Sequence, residues 1–266
     1  MTPAAASLLT FAGLALLLGG ALARRRLAGL VGAPPGGWPG WQGTGALLIA
    51  LGVALHVGGT LSALGFTAPA DVLAYLTSTV PGRAALTTLL GTAVLMTGEV
   101  WGRSTVPVGL GAAVTLWGVA GGGHGAVGGD LPMRAAHALH AGAMAAWTGG
   151  VLVLACGRGT NWRAAARAFT PVALGSVVLL TLTGLFMGLH HAGPVQAWPG
   201  SGYGITLLLK LGVFATTLVA AVGVRRTLAP HTASFPRAAL VVEAGLLLVV
   251  LGVTAVLVGS LPPSQN

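Results

Sequence analysis

Eight apolar stretches of roughly 20 residues alternate with short segments rich in Pro, Gly and Trp along the chain. As a helix, each stretch is long enough to cross about 30 Å of hydrocarbon. Only 6% of the residues are charged, far below the about 25% that is typical of soluble domains. The pattern therefore predicts an all-α polytopic membrane protein, an eight-helix transmembrane bundle forming a single domain. The spans are predicted at residues 4–23, 44–65, 84–102, 105–123, 134–156, 168–190, 204–224 and 238–260.

The arginines lie mostly between these stretches and predict the orientation of the bundle. With the N-terminus extracytoplasmic, the inner loops carry ten arginines, whereas the outer loops carry only Arg83 and Arg134. The positive-inside rule therefore places both termini on the extracytoplasmic side. Because Arg24 to Arg26 follow the first apolar stretch, we expect it to be a retained helix and not a cleaved signal peptide. The rule also accounts for the net charge of +9 without nucleic acid as a partner.

Histidine and methionine residues recur along one face of the fifth predicted span. Met133, His137, His140, Met144 and Trp147 follow one another at steps of three or four residues, so they share a helical face. Polar side chains in a bilayer are costly and usually face the bundle interior, a cavity or a ligand. Imidazole and thioether groups together suit copper, especially Cu(I). The sequence therefore predicts a metal site beside this span.

Most of the other polar residues with metal-binding chemistry are predicted to lie in the same extracytoplasmic half. His56 lies about 13 Å deep in the second span. His190 and His191 lie at a helix end, where histidine is also common as a capping residue, and Met144 is also explained by ordinary packing. The single cysteine of the chain excludes a thiolate-rich site and an intrachain disulfide. The candidate metal ligands are His56, His124, His137, His140, His190, His191, Asp130 and Met144.

Three further ionisable residues fall within the predicted spans. Lys210 is expected to be either a snorkelling anchor or a partner of Asp130. Glu99 is expected to be a paired carboxylate near Arg103 in the inner half. Glu243 is either paired in the same way or part of an inner relay for ions that leave the bundle.

Several short motifs resemble one known family. They are YLTSTVPGRAAL (75–86), GHGA (123–126), HAGAMAAWTGG (140–150), YGITLLLKL (203–211) and VVEAGLLLVVLGVTAVLVGSLPP (241–263). In this order and spacing they are similar to the CopD family of bacterial copper-resistance membrane proteins, over roughly residues 44–263. The resemblance implies an eight-helix inner-membrane protein that takes up or transfers copper, as Cu(I) or Cu(II), at the extracytoplasmic face. It also implies a periplasmic copper carrier of the CopC type as a partner.

Two functions of other classes stay open beside copper transport. Opposed helical histidines can also ligate haem iron, as in a b-type cytochrome of electron transfer, and a structural or assembly factor needs no cargo. The chain has no phosphate-cradling Gly-Lys-Ser/Thr loop and no soluble catalytic domain, so we do not expect an enzyme. A short echo between residues 77–86 and 201–210 indicates two four-span halves, 1–130 and 131–266. The sequence leaves open whether the chain forms homo-oligomers in the lipid bilayer.

Overall fold

The fold is built from helices along its whole described length. The computed structural model describes residues 3–66, 68–101, 104–122, 130–157, 161–191, 195–226 and 237–259, without the side chains of residues 191, 195 and 197. These residues form nine α-helices and one 3-10 helix. They are α1 (Pro3–Val31, with a π-helical turn at Ala15–Gly19), α2 (Gly37–Ala63), α3 (Pro69–Ser78), α4 (Val80–Trp101), α5 (Val106–Ala120), α6 (Leu131–Cys156), α7 (Trp162–His191), the 3-10 helix (Val195–Gly200), α8 (Gly202–Arg226) and α9 (Arg237–Val258).

Seven of the described helices, all except α3 and α5, are long and apolar enough to cross a membrane. This confirms the prediction of an all-α polytopic membrane protein. The predicted span at 105–123 coincides with α5, which has only 15 residues and is shorter than the about 20 that a full crossing needs. We call the end of the bundle where α2 ends and α6 begins the histidine end. The opposite end, where α1 and α8 end, is the arginine end, and its cytoplasmic orientation stays a prediction.

Helix α6, which carries the histidine and methionine stripe, lies at the centre of the bundle and packs against α1, α5, α7 and α9. Where α1 crosses it, a Cβ atom on Gly149 would overlap the carbonyl oxygen of Ala15, and the backbones of Gly19 and Gly149 touch. Such small residues allow membrane helices to approach closely. The neighbouring Gly150 faces the ring of Phe169 on α7 in the same way. The Gly-Gly pair of HAGAMAAWTGG therefore holds α6 between α1 and α7.

Helix α8 is much less enclosed than α6. It packs mainly on α9 and on the 3-10 helix that precedes it. Only 6% of the most apolar window of α8 is buried within the protein, compared with 61% for α6. Most of the α8 surface therefore faces lipid in a membrane.

The chain enters α4 and α8 through similar local structures. Thr79 Oγ1 accepts a hydrogen bond from the backbone N–H of Gly82, and Ser201 Oγ accepts one from Gly204, both at 3.0 Å. Each hydroxyl satisfies a backbone donor that the first turn of a helix leaves unpaired. These caps lie within or beside the two echoing segments, 77–86 and 201–210. The division into two four-span halves stays a prediction.

Candidate metal-binding cavity

A cavity of about 690 Å³ lies inside the histidine end of the bundle. Its walls are mostly apolar and come from α1, α2, α4 to α9 and the 3-10 helix. Trp147 on α6, Phe214 on α8 and Leu247 on α9 line the part nearest the arginine end. The cavity therefore extends from the histidine end towards the middle of the bundle.

Four of the predicted metal ligands line this one cavity. Helix α2 contributes His56, and α6 contributes His137, His140 and Met144. Since these three α6 residues lie at steps of three and four, one face of the helix presents them together. Met187 on α7 adds a second thioether to the lining. The cavity thus combines imidazole nitrogens from two helices with thioether sulfurs from two.

The orientation of His140 is set by Thr183 on the facing helix α7. His140 Nδ1 lies 2.9 Å from Thr183 Oγ1, and that hydroxyl donates its single proton to the carbonyl oxygen of Leu179. With that proton engaged, we assign the ring contact as Nδ1–H donating to Thr183, which leaves the lone pair on His140 Nε2. A histidine that ligates a metal usually has its other ring nitrogen held in this way.

Thr183 is a functional candidate that the sequence analysis missed. It lies in a Leu-Thr-Gly-Leu segment of α7, and nothing in its local sequence distinguishes it from the other helical threonines that bond to their own backbone. Only the packing of α7 against α6 brings it to His140. Its role therefore depends on tertiary contact and not on a local motif.

The charged side chain in the cavity lining is that of a lysine. Lys210 on α8 lines the cavity, and its charge acts on His140. None of the four carboxylates of the chain lines the cavity: they belong to Asp71, Glu99, Asp130 and Glu243. The predicted pairing of Lys210 with Asp130 is not seen, since Asp130 is exposed at the start of α6 and no ion pair joins the two.

The remaining candidate ligands lie outside the lining or outside the described residues. His190 is exposed, and its Nδ1–H group donates to the carbonyl oxygen of Phe186 at 2.9 Å. Its ring also lies 4.5 Å from the Phe186 ring, between centroids. His124 and the side chain of His191 lie outside the described residues. As metal ligands, these residues and Asp130 stay predictions.

Within the described ranges, no group of three or more His, Cys, Asp or Glu side chains is placed to hold one metal ion. His124 lies outside these ranges. The donors that the fold does bring to one cavity are therefore a mixed imidazole and thioether set. That set lacks negative charge, which suits a soft monovalent ion better than a hard divalent one.

Trp147 separates the cavity from a carboxylate nearer the arginine end. Its Nε1–H group donates to Glu243 Oε1 at 3.1 Å, and its ring meets that of Phe214 edge to face, with centroids 6.1 Å apart. Glu243 is buried, and together with Arg225 it lines a second, small pocket of about 30 Å³. Trp147 thus touches the large cavity on one side and Glu243 on the other.

One comparison with known proteins finds a family model that matches the C-terminal part of the chain. Residues 163–257 match the family model CopD, described as copper resistance protein D. The match covers most of α7, all of α8 and nearly all of α9, and it supports the assignment of the chain to this family. No curated protein and no solved structure matches the chain.

Proposed function

We propose that this chain, whose residues 163–257 match the CopD model of copper resistance proteins, belongs to that family, binds copper at the histidine end and takes it up or transfers it there. The observation that carries the proposal is the convergence of His56, His137, His140 and Met144 on one cavity. His56 reaches that cavity from α2 and the other three from α6. The seven long apolar helices support a multi-pass membrane protein, and we propose the bacterial inner membrane as its location.

The charges around the cavity favour Cu(I) as the bound species. Lys210 opposes every cation near His140, and it opposes a divalent ion twice as strongly as a monovalent one. The thioethers of Met144 and Met187 are soft donors that suit Cu(I). His140 offers Nε2 as the metal-binding nitrogen, because Thr183 engages Nδ1. We therefore expect His140 to be the central ligand, with one further imidazole, from His137 or His56, and a thioether completing the site.

Copper binding by purified full-length protein tests the proposal. Cu(I) is titrated under reducing conditions in competition with a chromophoric chelator, for the wild type and for His140→Ala. We expect the variant to bind at least about tenfold more weakly, a loss of roughly 1.4 kcal/mol. The matched control is His190→Ala, because His190 is exposed, does not line the cavity and bonds within its own helix. Its affinity should stay within about twofold of the wild type.

Equal Cu(I) affinity and stoichiometry in wild type and His140→Ala would refute the site. The same preparations separate the proposal from its alternatives. A Soret band in the visible spectrum would indicate the b-type cytochrome, which the family match does not support. If all the cavity histidines can be replaced without loss of copper tolerance in cells, the chain is a structural factor.

A separate copper carrier of the CopC type is the partner that we propose at the histidine end.

A further inference from the structure

Lys210 lies on the face of α8 that forms a wall of the cavity. Tyr203, Leu207, Lys210, Leu211 and Phe214 all line the cavity, and their spacing of four, three, one and three residues is that of a single helical face. Lys210 is eight residues into α8, so it lies about 12 Å along the helix from its start. Its side chain is directed into the bundle and not outwards along the surface.

Lys210 has no counter-charge among the residues that the structure describes. Within the described residues it makes no hydrogen bond and no ion pair. Each of the four carboxylates of the chain is engaged or placed elsewhere. Asp71 caps α3, Glu99 pairs with arginines of α1, Glu243 accepts from Trp147, and Asp130 is exposed at the start of α6. A lysine in mostly apolar surroundings is costly unless an anion accompanies it.

The cavity around Lys210 has the size of an organic ligand. Its volume of about 690 Å³ falls within the roughly 300–1,000 Å³ that is usual for small-molecule sites. A single metal ion with its ligands fills only a small part of such a space. The lining is mostly apolar, with a few polar groups including Lys210, Tyr203 and the histidines. This is the lining expected for a ligand with an apolar body and one anionic group.

The cavity also reaches the surface that faces lipid. Leu185 and Leu189 on α7 and Leu211 on α8 line the cavity and are exposed on the outside of the described bundle. Helix α8 packs on α9 and on the 3-10 helix, and not along α7. The space between α7 and α8 therefore leads sideways from the acyl-chain region of a bilayer to Lys210.

We propose that the cavity binds a membrane amphiphile whose carboxylate or phosphate pairs with Lys210 and whose acyl chain lies between α7 and α8. The charge of the head group supplies the counter-ion that the described part of the chain lacks, and the acyl chain covers the leucines of the opening. A free fatty acid and an anionic phospholipid share this chemistry. The residues that define this site lie on α7 and α8, whereas the proposed copper ligands are the histidines of α2 and α6, so the two proposals can be tested separately.

Quenching of tryptophan fluorescence by brominated lipid tests this site, since Trp147 and Trp198 line the cavity. Dibromostearate is titrated into full-length protein in a neutral detergent, with its methyl ester as the uncharged analogue. Exposed tryptophans such as Trp101 report non-specific partitioning, which is the same for acid and ester. We expect the acid to bind at least about tenfold more tightly than the ester, as a hydrogen-bonded charge pair predicts.

Substitutions of Lys210 assign the effect to this residue. Lys210→Met should remove the preference for the acid, and Lys210→Arg should keep it within a few-fold, because the charge is retained. Arg83→Met is the matched control, since Arg83 is a cation near the same end that does not line the cavity. Equal binding of acid and ester by the wild type, or an unchanged preference in Lys210→Met, would overturn the proposal.

Brominated phospholipids identify the source of the head group. Nanodiscs that contain brominated phosphatidylglycerol are compared with nanodiscs that contain brominated phosphatidylcholine. A Lys210-dependent excess of quenching by phosphatidylglycerol assigns the site to a phospholipid, whereas an excess with dibromostearate alone assigns it to a free fatty acid. Cu(I) affinity is measured on the same samples. If the wild type prefers the acid but does not bind Cu(I), only the copper site is refuted. If it binds Cu(I) but does not prefer the acid, only the lipid site is refuted.

Discussion

The two ends of the bundle treat their buried polar groups in opposite ways. At the arginine end, the Glu99 carboxylate accepts hydrogen bonds from Arg24 (3.1 Å), from Arg25 and from Gln42 (2.7 Å). At the histidine end, His140 has one protein partner, Thr183, and Lys210 has none among the described residues. The donors and the acceptor of the Glu99 cluster therefore satisfy one another, whereas the histidine end keeps a nitrogen lone pair and a positive charge available.

This difference separates structural from ligand-binding polar groups in one membrane protein. A buried carboxylate surrounded by donors gains nothing from a further ligand, and its removal affects the fold. An imidazole that is held at one nitrogen and open at the other gains from an external partner. Copper and an anionic head group are the partners proposed here for the open groups. The first two predictions below each alter one end and leave the other unchanged, and the third alters the contact between them.

The largest expected effect is on the Glu99 cluster. In the double variant Arg24→Ala, Arg25→Ala, the Glu99 carboxylate, whose side chain is 2% exposed, keeps only Gln42. We expect unfolding free energy to fall by about 3 kcal/mol, the lower end of the range for broken buried pairs. The arginine side chains are 40% and 29% exposed, so solvent screens part of the interaction. Reversible unfolding in mixed micelles, followed by tryptophan fluorescence, measures the loss.

Arg26→Ala is the control for this cluster, because Arg26 is exposed and has no described contact with Glu99. Its unfolding free energy should stay within about 0.5 kcal/mol of the wild type. Cu(I) affinity should be unchanged in both variants, since neither alters the cavity. If the double variant unfolds at the same denaturant concentration as the wild type, the cluster does not stabilise the fold.

The arginine end shows how far sequence reasoning reaches. Composition and the spacing of apolar stretches were enough to predict the helices. The expectation that Glu99 is paired is supported by its bonds to Arg24 and Arg25. The sequence pointed to Arg103 as the partner, because that residue is close along the chain, and Arg103 lies outside the described residues. The observed partners are 74 and 75 residues away. Their contact depends on how the fold brings the arginine side chains of α1 to the end of α4, which periodicity does not encode.

At the histidine end, too, the sequence predicts which residues share a helical face but not which residues they contact. The stripe of His137, His140 and Met144 follows from helical spacing alone, and these residues line one cavity. Thr183 and the unpaired state of Lys210 depend on the facing helices α7 and α8. Helix periodicity identifies which residues share a face, but it does not identify what lies opposite that face.

The second prediction concerns His140 Nδ1, the ring nitrogen that bonds to Thr183. Thr183→Val removes the acceptor of the Nδ1–H group and keeps the shape of the side chain, so the imidazole can rotate or change tautomer. Loss of such an outer partner typically weakens metal binding about 10- to 100-fold. We expect that loss in the Cu(I) competition assay, and we expect Thr183→Ser to bind as the wild type does.

Thr170→Val is the matched control on the same helix. Thr170 bonds to the carbonyl oxygen of Ala166, as Thr183 does to that of Leu179, but it lies away from the cavity. Its Cu(I) affinity should therefore be that of the wild type. Equal affinities in Thr183→Val and Thr170→Val would show that the open nitrogen of His140 does not depend on its partner.

The smallest effect is expected at Trp147, which lies between the two ends. Trp147→Phe removes the Nε1–H donor and leaves Glu243 buried without that hydrogen bond. Trp41→Phe is the control, because the buried Nε1 of Trp41 has no partner among the described residues. We expect Trp147→Phe to lower the unfolding free energy by about 1 kcal/mol more than Trp41→Phe does. In a double-mutant cycle, the extra cost of Trp147→Phe should disappear when Glu243→Leu has already removed the carboxylate. A coupling energy of zero would mean that this hydrogen bond does not link Trp147 energetically to Glu243.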